Sequence, residues 1–279
     1  MNMANRRAGD LGYKAEVRRA WGLGDYHRFA SDLVWHLGAE LVTACGIRAA
    51  DRVLDVAAGS GNTALRAAET GASVVASDLT PENFAAGRLA AERAGLQIDW
   101  VEADAEDLPF ADAEFDVITS SVGAMWAPDH QRVADELVRV CRPGGTIGMI
   151  NFAADGLLAD LLKVFADYAP PPPPWASSPL LWGDPDNLSQ LFGDRVSTLE
   201  ISPSIYTERV PGGPLGYCEY YKQFFGPVAA TYAALPAEQA AALDRDFLSF
   251  AAKNNTGPEN GPAELRYQYV RVIARTVAR

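Results

Sequence analysis

Val53-Leu54-Asp55-Val56-Ala57-Ala58-Gly59-Ser60-Gly61-Asn62 is the stretch that decides the fold. Val53, Leu54 and Val56 make an apolar run of strand length. Ala57 to Gly61 then carry almost no side-chain bulk, so a ligand can come within contact distance of the backbone. Asn62 to Thr70 reads as a helix whose first turn leaves free N–H groups. A strand, a small-residue turn and a helix in this order predict a nucleoside-like cofactor at the carboxyl end of a parallel sheet.

The glycines leave the cofactor open. Gly59, Gly61 and Ala64 also satisfy the G-x-G-x-x-G/A dinucleotide pattern, which keeps an NAD(P)-dependent oxidoreductase as a rival. The next segments argue against it. Ala72-Ser73-Val74-Val75-Ala76-Ser77-Asp78 is a second strand ending in an acid that can accept both ribose hydroxyls of either cofactor class. Thr80-Pro81 offers a capping hydroxyl and a first-turn proline for a helix. A third strand, Ile98 to Glu102, leads to Ala103-Asp104-Ala105. Asp104 can accept from an adenine amino group, and the Ala105 N–H can donate to a ring nitrogen. Dehydrogenases have no regular need for that third acid, and the chain contains no Tyr-x-x-x-Lys pair.

Taken in order, these segments resemble class I S-adenosylmethionine-dependent methyltransferases. The match continues through Asp107-Leu108-Pro109-Phe110, Glu114-Phe115-Asp116-Val117-Ile118-Thr119-Ser120 and Trp126-Ala127-Pro128-Asp129-His130. It ends in Glu136-Leu137-Val138-Arg139-Val140-Cys141-Arg142-Pro143-Gly144-Gly145. The branch it resembles includes ubiquinone- and menaquinone-type methyltransferases and many small-molecule enzymes. The likeness is close over about residues 20 to 155. Beyond that the chain is similar only to a looser bacterial set with a proline-rich stretch and Leu181-Trp182-Gly183. One departure is Ala57, where the family has its first glycine after the acid; positive φ is disfavoured for alanine.

The resemblance implies an α/β, Rossmann-like fold with a seven-stranded, mostly parallel sheet and an antiparallel terminal hairpin. N-terminal helices and a helical insertion complete it. Residues 1–50 would form an N-terminal helical lid and 51–155 the cofactor-binding core. Residues 156–279 would complete the sheet and carry the acceptor-binding insertion, all in one structural unit. The cofactor implied is S-adenosylmethionine. Asp55, Asn62 and the backbone from Ala57 through Gly59 to Gly61 would hold its methionine part. Asp78 would take the ribose hydroxyls, Leu79 would pack on adenine, and Asp104 with Ala105 would read the adenine edge. Ser121 would lie next to the sulfonium. Tyr26 would reach the cofactor carboxylate or pack. Asp78 and Asp104 can also be read as plain strand-end or turn residues.

The net charge of −12 comes from 24 basic and 36 acidic residues, with no Lys/Arg block. Long-range attraction to DNA, rRNA or tRNA is therefore poorly served, and a cationic cofactor suits an acidic site. Cys45, Cys141 and Cys218 show no C-x-x-C spacing and are expected as reduced thiols. His27, His36 and His130 lack metal-ligand spacing, so no metal is expected. Neither a signal-peptide pattern nor a membrane-length apolar run is present. A cytoplasmic enzyme acting on a small-molecule acceptor, with a homodimer as one option, is expected.

Outward from the opening stretch, Leu33, Val34, Leu37, Leu41 and Val42 recur at helical spacing. From Val53 to Asn151 strands and helices alternate, with helix ends at Gly71 and Gly95 and a fifth strand at Thr146 to Ile150. A helix near Leu157 to Tyr168 runs into Pro170 to Pro174, a stiff linker or a rigid edge to the acceptor pocket. Val196 to Val210 reads as a strand, Tyr217 to Leu235 and Ala237 to Lys253 as two helices, and Leu265 to Val277 as the closing strand. The two helices are read as inserted within the final hairpin.

Methyl transfer from a sulfonium is an in-line displacement on an activated carbon. Alignment alone can supply roughly 7–11 kcal/mol, so no strong catalytic motif is required. His27, in Gly24-Asp25-Tyr26-His27, is the candidate base, with an exposed helix histidine as the competing reading. His130 reads as a surface residue and His36 as a packing one. Met125, Trp126, Trp182, Tyr217, Tyr221 and Phe225 are the candidate acceptor contacts, with core filling as the competing reading. The resemblance, through the frequency of each chemistry in the family, ranks oxygen first as the acceptor atom, then carbon, then nitrogen. Non-methylating chemistry such as cyclisation on the same fold, a binding-only protein and a macromolecular modifier are the remaining alternatives.

Overall fold

The computed structural model describes residues 3–278. Its strands are β1 (Arg52–Val56), β2 (Ser73–Asp78), β3 (Ile98–Glu102), β4 (Phe115–Ser121), β5 (Cys141–Phe152), β6 (Val196–Val210) and β7 (Ala263–Thr276). They form one sheet in the order β3-β2-β1-β4-β5-β7-β6. β1 pairs in parallel with both β2 and β4, so Leu54 lies between Val75 and Ile118. β7 runs antiparallel to β5 and to β6, which gives the expected terminal hairpin. Val53, Leu54 and Val56 are buried, as strands covered on both faces require.

The helices are α1 (Met3–Trp21), α2 (Tyr26–Phe29), α3 (Trp35–Cys45), α4 (Asn62–Glu69), α5 (Phe84–Ala94) and α6 (His130–Val140). They continue as α7 (Leu157–Ala166), α8 (Pro185–Phe192), α9 (Gly213–Phe224), α10 (Gly226–Ala234) and α11 (Ala237–Asn254). A π-helical turn, Ala30–Val34, joins α2 to α3. The strand order reverses between β1 and β4, which puts the topological switch point at the carboxyl ends of these two strands.

Several sequence expectations shift. The insertion between β6 and β7 holds three helices instead of two. The break falls at Phe225-Gly226-Pro227, because the proline at the start of α10 cannot continue α9. A side chain at Gly226 would also strike the Ala20 carbonyl oxygen, 2.3 Å away, where α1 packs. β5 begins at Cys141, earlier than Thr146, and its register against β4 shifts between Phe115 and Val117. The Thr80 hydroxyl makes no cap; Pro81–Asn83 form a 3₁₀ turn before α5. α7 stops at Ala166, ahead of the prolines. His130 is buried rather than superficial, with its ring 5.4 Å from that of Trp182. No described helix is long and apolar enough to cross a membrane.

Candidate active site

Two turns at the switch point touch each other. A side chain at Gly123, after β4, would fall 2.4 Å from the Ala57 carbonyl oxygen, after β1. Ala57 takes φ of 55° and Val122 φ of 46°, the left-handed region that costs an L-residue roughly 1–2 kcal/mol. The disfavoured conformation at Ala57 is therefore the one adopted. Hydrogen bonds hold it there: the Ala58 N–H donates to the Ser77 carbonyl and the Val122 N–H to the Ile150 carbonyl. Backbone strain concentrated at one crevice is a mark of a functional site.

Two carboxylates organise the turn between β1 and α4. Asp55 Oδ2 accepts the Ala64 N–H at 3.0 Å and Oδ1 accepts the Thr119 hydroxyl at 2.9 Å. Burial pushes its carboxyl up to about 7. Asp78 Oδ2 accepts the Gly59 N–H and Oδ1 the Thr80 N–H, both at 2.7 Å. Burial pushes Asp78 up to about 6. Each Asp78 oxygen retains a further lone pair for a ligand.

Beyond Asp78 lies a partly open cleft lined by Tyr26, Ala57, Gly59, Leu79, Asp104, Ala105 and Trp126 among others. α1 supplies its outer wall through Lys14, Val17 and Trp21. Lys14 Nζ lies 2.7 Å from Asp104 Oδ2 and 2.6 Å from Glu106 Oε2. Burial pulls the Lys14 ammonium down, but these two acids outweigh it and leave it raised. Arg18 reaches Glu82 and Glu102 on the same rim. The cleft continues into a smaller recess bounded by Asp55, Ala57, Ser60, Asn62 and Ser121. The Ser121 hydroxyl is buried there without a hydrogen-bond partner.

A third space is an aromatic chamber. Trp21, Tyr26, Phe29, Trp126, Phe152, Tyr206, Tyr221, Phe225 and Tyr267 line it, with Glu208 as its one acid among the described residues. Glu208 is 2% exposed. It accepts the Tyr206 hydroxyl at 3.1 Å and the Tyr221 hydroxyl at 2.8 Å. Tyr26 and Val122 border cleft, recess and chamber alike.

Some candidate residues stand elsewhere. His27 borders none of the three spaces; its Nδ1 lies 3.1 Å from Ser60 Oγ and its ring stands edge-on to Trp35. It is thus behind the recess and not placed to take an acceptor proton. Gly61 borders none of them either: its bare Cα admits the Trp100 ring, which a Cβ would meet at 2.5 Å. Asn62 borders the recess, but its amide donates to the Val34 carbonyl and accepts from Arg66, so both ends are engaged. Met125 is fully buried in the core and Trp182 packs against His130 and Phe192. Tyr217 sits behind the chamber wall, its hydroxyl 2.6 Å from that of Tyr267. The sequence reading missed Lys14, Trp21, Phe29 and Glu208. Only Glu208 left a trace: it shares the inward alternation of β6 with Tyr206 and Val210.

The methyltransferase domain family matches residues 54–149. An uncharacterised protein of Mycobacterium tuberculosis is 46% identical over 215 residues, 77% of this chain and 78% of its own length. A demethylmenaquinone methyltransferase of Thermus thermophilus is 39% identical over 126 residues, 44% of this chain and 56% of that one. The YcgJ protein of Bacillus subtilis superposes with a TM-score of 0.60 at 19% identity, over 88% of this chain and 99% of that one. The chain belongs to the class I S-adenosylmethionine-dependent methyltransferases. It is an enzyme of that class, its cofactor is S-adenosylmethionine, and the site fits it: an orphan buried hydroxyl in the recess adjoins a cleft bordered by a carboxylate that already holds two turn N–H groups.

Proposed function

We propose that this enzyme methylates a small, largely hydrophobic acceptor seated in the aromatic chamber, with oxygen ahead of carbon and nitrogen as the acceptor atom. The observation that carries the proposal is the junction at Tyr26 and Val122, the two residues that border all three spaces. An acceptor in the chamber faces the cofactor compartments across that junction. Bound, the cofactor supplies a methyl group already activated on a sulfonium.

In this reading Asp78 accepts the ribose hydroxyls on its free lone pairs and Leu79 packs on adenine. Asp104 and the Ala105 N–H meet the adenine edge. The Ser121 hydroxyl and the backbone of Ala57 and Gly59 meet the methionine part, and Tyr26 closes over it from Gly59, whose missing Cβ makes room for the ring. Trp126, held by its indole N–H to the Val122 carbonyl at 3.0 Å, separates cleft from chamber. Residues 1–50 act as the lid, 51–155 as the cofactor core, and the remainder completes the sheet and shapes the acceptor site. A nucleic-acid acceptor is disfavoured by the acidic chain and by a chamber wall without basic side chains among the described residues. Three free, buried cysteines suit a cytoplasmic enzyme.

The test is calorimetry with S-adenosylmethionine, its demethylated product and NAD, followed by transfer of labelled methyl to a panel of apolar alcohols, enols and amines. Binding of both sulfur ligands without NAD, and label in an apolar product, are expected. Tight NAD binding alone, or cofactor binding with label only in protein or nucleic acid, would overturn the reading.

A further inference from the structure

The chamber hides one group that the methyltransferase fold does not require. Glu208 reaches it from the middle of β6, where neighbouring inward positions hold Tyr206 and Val210. Burying a carboxylate is costly unless its oxygens are satisfied. Here phenols satisfy them from different elements: Tyr206 on β6 and Tyr221 on α9, one on each oxygen, with Tyr217 on α9 as a third hydrogen-bonding neighbour that fills another position. Tyr267 on β7 stands behind, 3.4 Å from the Tyr221 hydroxyl and 2.6 Å from that of Tyr217. A carboxylate offers about four lone-pair positions, so these phenols leave capacity for one more donor.

An acceptor enclosed by this wall loses water at its reacting group. Unless the wall replaces that hydration, the loss is penalised. The lining offers one strong acceptor, Glu208, and no basic side chain among the described residues. The matching ligand presents a hydrogen-bond donor on an aromatic body. We propose that Glu208 takes the proton of a hydroxylated aromatic acceptor. The proposal rests on the methyltransferase reading of the chamber. The acceptor O–H bond gives its proton to a Glu208 carboxylate oxygen. The oxygen's lone pair forms the new O–C bond while the C–S bond breaks, its electron pair remaining on sulfur. Charge balances: a carboxylate becomes a carboxylic acid and a sulfonium becomes a neutral thioether.

The electrostatic setting favours a transferable proton over a fixed counter-ion for an ammonium group. Burial pushes Glu208 up to about 7, against the opposing bonds from its tyrosines. The titratable groups facing it are Tyr206, Tyr217, Tyr221 and Tyr267, all held neutral by burial. His36, one layer further out against Tyr206, is itself lowered by burial. Among the described residues nothing cationic fixes the carboxylate in its ionised form, and a group that titrates near neutrality is matched to general-base work.

The test is calorimetric titration of the full chain, saturated with the demethylated cofactor, using three probes: 4-propylphenol, 4-propylanisole and 4-propylbenzylammonium. For the parent protein at pH 8 we expect 4-propylphenol to bind at least tenfold more tightly than the anisole, which cannot donate. The preference should fade below pH 6, with its midpoint near 7. In Glu208→Gln the preference should drop below threefold and lose its pH dependence, at unchanged cofactor affinity. Tyr206→Phe, which removes one donor to the carboxylate, should keep the preference and move its midpoint to higher pH, a shift that a purely structural role would not produce. Equal preference in parent and Glu208→Gln, stronger binding of the ammonium probe, or no binding of the phenol would each overturn the proposal while cofactor binding persists. Loss of cofactor binding in the parent protein would instead overturn the methyltransferase reading itself.

Discussion

The cofactor cleft and the aromatic chamber share Trp21, Tyr26, Val122 and Trp126 but are built on opposite plans. The cleft is made of backbone. Asp55 and Asp78 hold N–H groups of adjacent turns in place, and small residues let a ligand approach. Its parts follow the strand ends on both sides of the switch point, Asp55 and Asp104 on one side and Ser121 on the other. The chamber is made of side chains. They arrive from α1, α2, β5, α7, both strands of the hairpin and α9, from Trp21 to Tyr267. A site made of turns fixes which cofactor binds; one made of side chains is free to change its acceptor without disturbing the turns.

The sharpest way to break that contrast is at Asp78. Asp78→Ala removes a carboxylate whose bonds contribute roughly 1.5–3 kcal/mol each. Cofactor affinity should fall at least 100-fold by calorimetry, and further than in Asp104→Ala, where the Ala105 N–H remains. An Asp78→Ala protein that binds the cofactor as well as the parent would show that the cleft is not organised by its carboxylates.

Next come the aromatic walls. Tyr221 is 3% exposed, packs on Tyr217 and anchors Glu208, so Tyr221→Ala should cost about 3–5 kcal/mol of stability. Phe225, only partly buried, should cost less and raise acceptor KM at unchanged cofactor affinity. Thermal melts paired with kinetics separate the two. A Phe225→Ala protein with weakened cofactor binding would mean that cleft and chamber are not independent.

A third measurement uses pH. The folded state holds the Glu208 proton more tightly than the unfolded chain does, about 7 against 4.5. Its contribution to stability is therefore complete below about pH 4.5 and is lost as pH rises to about 7. Relative to Glu208→Gln, the parent should lose on the order of 3 kcal/mol across that window. Asp55 and Asp78 titrate in the same sense, and His130, pushed down to about 4 by burial, in the opposite one. All three are common to both proteins and cancel in the difference. Parallel melting curves against pH would place Glu208 in contact with water.

The smallest effect is at the strained turn. Ala57→Gly relieves a left-handed alanine, about 1–2 kcal/mol, against a glycine entropy cost of about 0.5–1 kcal/mol. A net gain of about 0.5–1 kcal/mol in a thermal melt is expected; destabilisation would show that the alanine methyl is a packed part of the switch point.

The same contrast explains what could be read in advance. The fold was legible because buried parallel strands such as Val53 to Val56 are continuous apolar runs, and the cofactor turns follow them at once. The break at Gly226-Pro227 is marked in the sequence by a proline that cannot continue a helix, and one helix over Tyr217 to Leu235 overlooks it. Aromatic size drew attention to Met125's neighbour Trp126, to Trp182 and to Tyr217, yet size does not say which face of an element a ring occupies. Trp126 borders the chamber; Trp182 and Tyr217 fill the core. Glu208 escaped because an acid in a strand ordinarily marks the solvent face, although here it shares the inward alternation of Tyr206 and Val210 and pairs opposite the buried Leu265 of β7. Lys14 and Trp21 escaped because α1 lies outside the shared sheet pattern and owes its place to partners far along the chain.

α1 gives this enzyme a thermodynamic property that the sheet alone would lack. It walls the cofactor cleft, yet it is fastened to the rim in part by charges: Lys14 to Asp104 and Glu106, Arg18 to Glu82 and Glu102. Were the helix to leave the rim, the apparent cofactor affinity would be the intrinsic one scaled by the fraction of molecules with the helix seated. By reciprocity, a bound cofactor would raise that fraction by the same factor. The exposed Arg18 pairs are screened by salt and the buried Lys14 pairs much less so. Ionic strength thus weakens the outer fastening at Arg18 before the inner one at Lys14.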